Sequence, residues 1–404
     1  MRVPIYLDNN ATTRMDPRAV ASMLPYFADH YGNAASKTHP FGWEADKAVQ
    51  TARRQLAELI GARPPEIVFT SGATEANNMA ILGSAAARNA GAAGAEKVAA
   101  GRGGHIVTSR IEHKAVIDPC EILEKRGYEV TYLTPADAGV CTAEQVAAAL
   151  RPDTFLISLM TANNEIGSVT PIREIGALAH DRGILFHTDC AQGVGKIPID
   201  VEQSHVDLLA LSGHKFYGPK GVGALYVRSR KPRVKLAPII FGGGQEQGLR
   251  PGTLNVPLIV GLGAAAQLCN DELDEEMTRL GAMAERLYSG LQGAVGGVSI
   301  NGHRQQRLPG TMNLAFEGIE SDALLLALPD VAASSGSACT TGSVEPSYVL
   351  RAVASDAQAR SSVRFSVGRF NSDSDIDYAV LRVAQIVREL RQKTRRPAPV
   401  QRLS

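Results

Sequence analysis

The chain has 404 residues, of which 44% are hydrophobic and 21% are charged, so it can bury a large core and is expected to hold a large domain and a smaller one. Its formal net charge of +1 provides no field that would attract nucleic acid or an anionic membrane. Residues 1–8 lack the basic and apolar regions of an export signal and no apolar stretch is long enough to span a bilayer, so a cytoplasmic protein is expected.

Strand and helix patterns alternate from about residue 63 to residue 228, which is typical of parallel strands joined by helical crossovers. The predicted strands are 66–70, 105–108, 129–133, 155–159, 183–189 and 206–211, and an antiparallel strand is expected at 223–227. Residues 89–104 are mostly Ala and Gly, which indicates a helix end and a surface loop. A long helix from about 256 to 291, followed by short strands and helices to about 391, predicts the second domain.

The cysteines and histidines indicate neither a disulfide framework nor a metal site. The cysteines are odd in number and form no CxxC pair, so free thiols are expected. The nine histidines show no HExxH spacing, so we expect no metal held by protein side chains. The five cysteines are Cys120, Cys141, Cys190, Cys269 and Cys339.

Two predicted strands lead into an acid and a lysine. Asp189 ends one strand, and the next is followed by Ser212, His214 and Lys215. Singly, Lys215 is typical of a solvated surface charge and Asp189 of a helix cap. Both strands, however, are expected to end at the carboxyl edge of one sheet, where α/β proteins bind ligands. A lysine that forms a Schiff base and a carboxylate that pairs with a pyridine nitrogen are the groups that bind pyridoxal phosphate and make its ring an electron sink.

Residues 70–74 supply a third component. A strand that ends in small residues and turns into a helix presents backbone N–H groups and the positive end of a helix dipole, which suit a phosphate ester. An ordinary capped helix is the alternative. Beside Ser212, His214 and Lys215, the phosphate site is the favoured interpretation.

The chain resembles the cysteine desulfurases, a class of the fold-type I aminotransferase superfamily that supplies sulfur for iron–sulfur clusters. The resemblance runs from about residue 5 to 390, and its motifs are 6–13, 69–75, 112–116, 163–167, 212–221 and 334–340. It implies an α/β fold of the pyridoxal-phosphate-dependent transferase type I. The expected large cofactor-binding domain, with a mainly parallel seven-stranded sheet, is 16–254. The expected smaller α+β domain is 1–15 and 255–404 and carries the catalytic cysteine loop.

The resemblance implies roles for individual cofactor-binding residues. Lys215 resembles the Schiff-base lysine, Asp189 the partner of the pyridine nitrogen and Gln192 a donor to the ring hydroxyl. His113 resembles an imidazole that stacks on the ring and moves protons, although alone it is typical of a surface or capping histidine. The other cofactor contacts implied are Ala73, Thr74, Asn164, Ser212, His214 and Thr253. The last of these resembles a residue that reaches the phosphate of a neighbouring subunit, which implies a homodimer.

The substrate side is implied by three residues. Arg364 resembles the guanidinium that clamps the substrate carboxylate, a task that suits a planar bidentate donor. A solvated arginine at a strand edge is the alternative. Asn33 and Asn164 match polar residues near the substrate carboxylate and the cofactor, respectively, and both are expected to contribute to substrate binding.

Cys339 distinguishes this interpretation from a generic aminotransferase. Residues 334–343 are all small or polar, so the loop is expected to move. A structural core cysteine fits poorly there, because buried cysteines prefer apolar neighbours. The resemblance implies conversion of L-cysteine to L-alanine, with sulfur transferred to Cys339 as a persulfide.

The sequence is also compatible with two other functions, and it departs from the family pattern at two positions. A pyridoxal-phosphate transaminase or lyase, such as a selenocysteine lyase-like enzyme, needs no Cys339, and a non-enzymatic sulfur carrier needs no cofactor site. Ala34 stands where a proline is usual, and Cys190 where a small non-thiol residue is usual. The expected partner is a sulfur acceptor such as an iron–sulfur scaffold. Its identity stays open, because the C-terminal end lacks the longer tail with which close relatives engage that scaffold.

Overall fold

The protein is represented by a computed structural model that describes residues 3–90, 103–231, 233–335 and 346–395. Part of the predicted Ala/Gly loop and most of the cysteine loop, including Cys339, lie outside the described residues. The strands are β1 Ile5–Tyr6, β2 Ile67–Thr70, β3 His105–Ser109, β4 Glu129–Leu133, β5 Thr154–Ser158, β6 Leu185–Asp189, β7 Leu208–Ser212, β8 Gly223–Val227, β9 Val298–Asn301, β10 Thr311–Phe316, β11 Val331–Ala332 and β12 Ser362–Ser366. The helices are α1 Pro17–Met23, α2 Pro25–Ala28, α3 Pro40–Leu59, α4 Ala73–Ala90, α5 Lys114–Glu124, α6 Ala143–Ala149, α7 Ile172–Asp181, α8 Val256–Val295, α9 Ser321–Leu326, α10 Tyr348–Val353, α11 Asp356–Arg360 and α12 Asp373–Arg395.

The chain divides into two compact units. The larger comprises Thr12–Asn163 and Ser168–Glu275, and the smaller comprises Met1–Ala11, Asn164–Gly167 and Glu276–Ser404. The division falls within α8, whereas the boundary expected from the sequence falls just ahead of that helix. None of the helices in the described part of the chain is long and apolar enough to cross a membrane.

The larger unit is built on a seven-stranded sheet of order β2-β8-β7-β6-β5-β3-β4. Only β8 runs antiparallel to its two neighbours, β2 and β7. The predicted fold class, a mainly parallel seven-stranded sheet in an α/β protein, is therefore confirmed, as is the antiparallel strand predicted at 223–227. Because all the other strands are parallel, β2, β6 and β7 end at the same edge of the sheet, at Thr70, Asp189 and Ser212.

Helices cover both faces of this sheet, which explains the continuous apolar runs of its central strands. Alternate residues along a strand enter different clusters. In β7, for example, Leu209 joins the cluster that contains Leu56 of α3, and Leu208 joins the cluster that contains Met79 of α4. The rigid edge formed by these strand ends carries the residues expected to bind the cofactor.

The smaller unit has an antiparallel sheet of order β12-β10-β9 and a short parallel pair, β1 with β11. Its core packs Phe316 and Phe365 of this sheet against apolar residues of α8 and α12, such as Leu287 and Val383. In the β10–β12 pair, Asn313 lies opposite Arg364, so the predicted substrate-binding arginine is placed in the middle of a strand.

Candidate active site

Asp189 ends β6 and is only 6% exposed. Its Oδ2 accepts a hydrogen bond of 2.7 Å from Asn77 Nδ2, and its Oδ1 accepts one of 2.9 Å from the Ala191 backbone N–H. Each carboxylate oxygen therefore accepts a hydrogen bond from a separate donor. The hydrogen bond from Ala191 caps a local turn, so the alternative interpretation of Asp189 as a capping residue is partly correct. Asn77, fully buried on α4, is what orients the carboxylate.

Lys215 is the last residue of a short 3-10 turn, Gly213–Lys215, that follows β7 directly. The neighbouring backbone is held by Thr13, whose N–H and hydroxyl both donate to the His214 carbonyl at 2.9 and 3.0 Å. The Thr13 hydroxyl oxygen also accepts from the Tyr217 N–H at 2.8 Å. Lys215 itself is half-buried, which distinguishes it from a fully solvated surface lysine.

The end of β7 lies close to the turn that starts α4. A Cβ added at Gly72 would lie 3.5 Å from Ser212 Oγ, so the Ser212 hydroxyl faces this turn. A Cβ at Gly223 of β8 would come within 2.7 Å of the Gly72 Cα, so only glycine at 223 allows this approach. Ala73 and Thr74 form the beginning of the 18-residue helix α4, where backbone N–H groups have no acceptor within the helix.

Positive charge converges on His214. Burial, and then the charges of Lys215, Lys220 and Lys196, lower the pKa of His214 to about 4. The imidazole is therefore neutral near pH 7, and its Nδ1 lies 3.1 Å from the Thr12 hydroxyl. Three ammonium groups near one half-buried ring form a local environment that favours an anion such as a phosphate.

His113 is the N-cap of α5, and its Nδ1 accepts a hydrogen bond of 3.1 Å from the Ala115 N–H. The Nδ1 atom therefore does cap the helix, as the alternative interpretation predicts. Because Nδ1 accepts this hydrogen bond, the proton of the neutral ring is carried by Nε2. The preceding residue, Glu112, is fully buried and its Oε1 accepts from the Met160 N–H at 2.8 Å, which ties the His113 loop to the end of β5. Burial raises the pKa of Glu112 well above its usual value.

Gln192 lies three residues after Asp189 and is 5% exposed. Its Oε1 accepts a hydrogen bond of 2.5 Å from Lys196 Nζ. Lys196 was not singled out from the sequence, and neither were Asn77 and Glu112. For Lys196, the only local indication was its position four residues after Gln192. Nothing in the sequence near Asn77 indicates that its partner is Asp189.

Asn33 and Thr253 are both exposed in the larger unit. The Asn33 side chain accepts from the Ala35 N–H at 2.9 Å, an exposed local turn. The segment before Thr253 is anchored by Arg250, whose Nε donates to Glu75 of α4 at 2.8 Å. Neither Asn33 nor Thr253 is brought to Asp189 or Lys215 by a hydrogen bond that the structure records, and their roles stay predictions.

Arg364 lies in the smaller unit and is 1% exposed, so the alternative of a solvated edge arginine is wrong. Its Nη2 donates to Asp8 Oδ1 at 2.6 Å and its Nη1 to the Asn164 carbonyl at 2.9 Å. The Asn164 carbonyl also accepts from Asn10 Nδ2 at 3.1 Å. Residues from two distant parts of the chain, Asp8 and Asn164, therefore fix the guanidinium, and the sequence did not identify Asp8 as its partner.

The residues of the larger unit fit pyridoxal phosphate. The buried Asp189 carboxylate suits a protonated pyridine nitrogen, and the half-buried Lys215 amine suits an aldehyde. The start of α4 beside Ser212, together with the positive charge around His214, suits the phosphate. Among the described residues, no group of three or more His, Cys, Asp or Glu side chains is placed to bind a metal ion.

The sequence matches the family described as aminotransferase class-V over residues 5–379. It is 52% identical over 393 residues to a protein of Anaeromyxobacter dehalogenans (strain 2CP-C) named cysteine desulfurase IscS, covering 97% of this chain and 94% of that protein. It is 48% identical over 390 residues to the Homo sapiens protein named cysteine desulfurase, covering 96% of this chain and 83% of the human protein.

Two solved structures are similar to this fold. One is described as a NifS-like protein, with a TM-score of 0.86 and 34% identity, and the match covers 96% of this chain and 100% of that one. The other is described as SspA in complex with cysteine, with a TM-score of 0.78 and 40% identity, and the match covers 91% of this chain and 100% of that one.

Proposed function

We propose that this chain, which belongs to the cysteine desulfurases of the class-V aminotransferase family, converts L-cysteine to L-alanine and receives the sulfur on Cys339 as a persulfide. Enzymes of this family use pyridoxal phosphate, and the chain is a pyridoxal-phosphate-dependent enzyme. We further propose that residues 16–254 form its cofactor-binding domain. Residues 1–15 and 255–404 then form the domain that carries the cysteine loop.

The burial of the other thiols carries the assignment of Cys339. Cys120, Cys141, Cys190 and Cys269 are all buried, and none of them forms a disulfide. Burial raises the pKa of Cys120 and of Cys190 to about 12 and that of Cys141 to about 11. A thiol must ionise to act as a nucleophile, so these groups are poorly suited to attack sulfur. Cys339 is the remaining cysteine of the five in the sequence.

The proposed cofactor contacts are those that the resemblance to the family implies. Lys215 would hold the cofactor through Nζ, and Asp189, whose carboxylate is oriented by Asn77, would pair with the ring nitrogen. Gln192 donates to the ring oxygen. The phosphate is bound by the Ser212 and Thr74 hydroxyls, by the His214 imidazole and by the Ala73 backbone N–H, with Asn164 as a further cofactor contact.

When bound, pyridoxal phosphate supplies an electron sink that allows the α-proton of cysteine to leave. Lys215 Nζ would accept that proton and hold it for return to the substrate carbon skeleton, and Asp189 would pair with the positive ring nitrogen. His113 would face the bound ring and hold a proton on Nε2, because its Nδ1 accepts the capping bond from the Ala115 N–H. Arg364, fixed by Asp8, binds the substrate carboxylate with Asn33 and Asn164.

Sulfur transfer is then a displacement at the substrate sulfur. The Cys339 thiolate attacks that sulfur, the S–S bond of the persulfide forms and the C–S bond of cysteine breaks. The electron pair of the broken bond stays with the carbon skeleton, which is protonated and leaves as alanine. No external oxidant or reductant is required for this step.

The function is tested by single-turnover analysis of the purified protein loaded with pyridoxal phosphate. L-cysteine is expected to yield one alanine and one persulfide per active site. Pyruvate or another keto acid, produced with no persulfide on the protein, would instead indicate the transaminase or lyase alternative and contradict the proposal.

Arg364→Ala is expected to weaken cysteine binding by about 1.5–3 kcal/mol, the magnitude of a hydrogen bond to a charged group. Arg364→Lys is expected to restore only part of this, because an ammonium lacks the planar fork. Cysteine affinity is measured by spectral titration of the bound cofactor in a Cys339→Ser background, where turnover does not interfere.

Asp8→Asn is the matched control for Arg364, because it keeps an acceptor beside the guanidinium and removes only its charge. A smaller loss of affinity is expected for this variant. Unfolding midpoints of all three variants separate loss of binding from loss of fold, since the Arg364–Asp8 pair also stabilises the smaller unit. Unchanged cysteine affinity in folded Arg364→Ala would refute the carboxylate clamp.

The assembly, the acceptor and the location of the protein are also proposals. We infer a homodimer in which the exposed Thr253 reaches the phosphate of the neighbouring subunit. The position of Thr253 just after Arg250, which is anchored to Glu75, supports a defined orientation for this segment. A sulfur-acceptor protein such as an iron–sulfur scaffold is the proposed partner, and the cytoplasm the proposed location.

A further inference from the structure

Lys196 contacts Gln192 through an ammonium group, and this contact determines which end of the amide faces which way. Lys196 Nζ lies 2.5 Å from Gln192 Oε1. The oxygen and nitrogen of a glutamine amide look alike to most structural methods, but an ammonium group can only donate a hydrogen bond. The atom facing Lys196 must therefore be the oxygen, so the NH2 group occupies the other end of the amide.

The backbone keeps the two residues in register. Val194 N–H donates to the Cys190 carbonyl at 3.1 Å, and Ile197 N–H donates to the Gly193 carbonyl at 3.1 Å. These two turns overlap, and the Gln192–Lys196 contact lies within the segment that they span. Gly195 has a φ of +72°, and a Cβ there would come within 2.7 Å of the Phe216 Cβ, so the turn is packed tightly against the residue after Lys215.

We propose that Lys196 is a positioning residue that holds the Gln192 amide with its NH2 group as the hydrogen-bond donor to the ring oxygen of pyridoxal phosphate. This inference rests on the proposed function. Gln192 is 5% exposed, so solvent offers its amide little alternative pairing. Without Lys196, the flipped amide would set a carbonyl oxygen against the ring oxygen, where two acceptors repel and neither is satisfied.

The charge of Lys196 offers a competing explanation. Lys196, Lys215 and Lys220 all lower the pKa of His214, so Lys196 could act on the phosphate through its charge alone. Positioning through Gln192 and attraction of the phosphate predict different couplings between residues 192 and 196. A double-mutant cycle separates the two, because a residue that acts only through Gln192 has no effect once that side chain is removed.

The test measures the dissociation constant of pyridoxal phosphate and the absorbance spectrum of the bound cofactor. Lys196→Met in the full chain is expected to weaken cofactor binding about tenfold and to shift the absorbance maximum of the bound cofactor. In a Gln192→Ala background, the same substitution is expected to have little further effect on either quantity. Lys196→Gln, which keeps a neutral donor beside Oε1, is expected to restore most of the affinity and the wild-type spectrum.

Lys220→Met is the control for charge, because Lys220 also acts on His214 and is exposed. It is expected to change cofactor affinity much less than Lys196→Met and to leave the spectrum unaltered. Equal losses from the two substitutions, or a full loss from Lys196→Met in the Gln192→Ala background, would overturn the positioning role. Lys196→Gln also covers the possibility that Lys196→Met fails to fold, because a folded Gln variant with weak binding and a shifted spectrum contradicts the assignment.

These readouts are independent of turnover. If the wild-type chain binds the cofactor and forms alanine but the Lys196 variants behave as the charge explanation requires, only the role of Lys196 is contradicted. A wild-type chain that binds no pyridoxal phosphate contradicts the proposed function as well.

Discussion

Replacing Lys215 with alanine is expected to lower alanine formation by on the order of 10³-fold or more, because one side chain supplies both the covalent link to the cofactor and the base at the α-carbon. The backbone around it is held by Thr13 and by hydrogen bonds within the turn, so the substitution removes the amine without removing the support. The visible absorbance that reports the covalent link is expected to disappear, and cofactor released by mild denaturation measures what still binds.

Lys220→Ala is the matched control for Lys215, since it removes an amine from the same loop at an exposed position. With pyridoxal phosphate at saturation, its turnover and its visible absorbance are expected to remain close to those of the wild type, because Lys220 contributes only charge near the phosphate site. An unchanged covalent absorbance band in Lys215→Ala would contradict the assignment of Lys215 as the cofactor-binding lysine. Loss of that band in Lys220→Ala alone would indicate that Lys220 is the cofactor-binding lysine.

Cys339→Ser is expected to separate cofactor chemistry from sulfur transfer. The variant keeps every described residue of the cofactor site, so it is expected to bind pyridoxal phosphate and to change its absorbance when cysteine is added. A serine hydroxyl is not a nucleophile for this displacement, so alanine and persulfide formation are expected to fall to background. Both products are measured in a single turnover, and the persulfide is located by labelling and peptide mass.

Cys190→Ala is the control for Cys339. Cys190 follows Asp189 directly, but its thiol is fully buried and its pKa is raised to about 12 by burial. Removing it is expected to leave desulfuration close to the wild-type rate, with the label still on the peptide that contains Cys339. Label on the Cys190 peptide, or undiminished desulfuration by Cys339→Ser, would overturn the mechanism.

Much of the larger unit could be predicted from local sequence patterns. The predicted strands of its sheet agree with the observed ones to within one or two residues at each end. Buried parallel strands are continuous apolar runs bounded by polar or glycine-rich turns, and that pattern is independent of distant residues. The strand that ends in Asp189 and the one that leads to Lys215 were predicted for this reason, and their common edge follows from parallel topology.

The surroundings of Arg364 could not be predicted in this way. Five residues of strand pattern around it are compatible with a solvated edge or with a buried position, and only the structure shows it 1% exposed. Its partner, Asp8, is 356 positions away in the chain. A local pattern contains no information about which distant segment will pack against a strand.

The sequence by itself therefore determined the fold class and the order of the acid and the lysine at the strand ends, because short-range periodicity carries these properties. Its motifs identified the resemblance to the cysteine desulfurases. Tertiary structure decided which side chains are buried and which groups they bond. Asn77 orients Asp189 across 112 residues, and four of the five cysteines are buried in the described part of the chain. Hydrogen bonds require short distances between groups, and desolvation requires exclusion of water. Both conditions arise only when distant segments pack together in the folded chain.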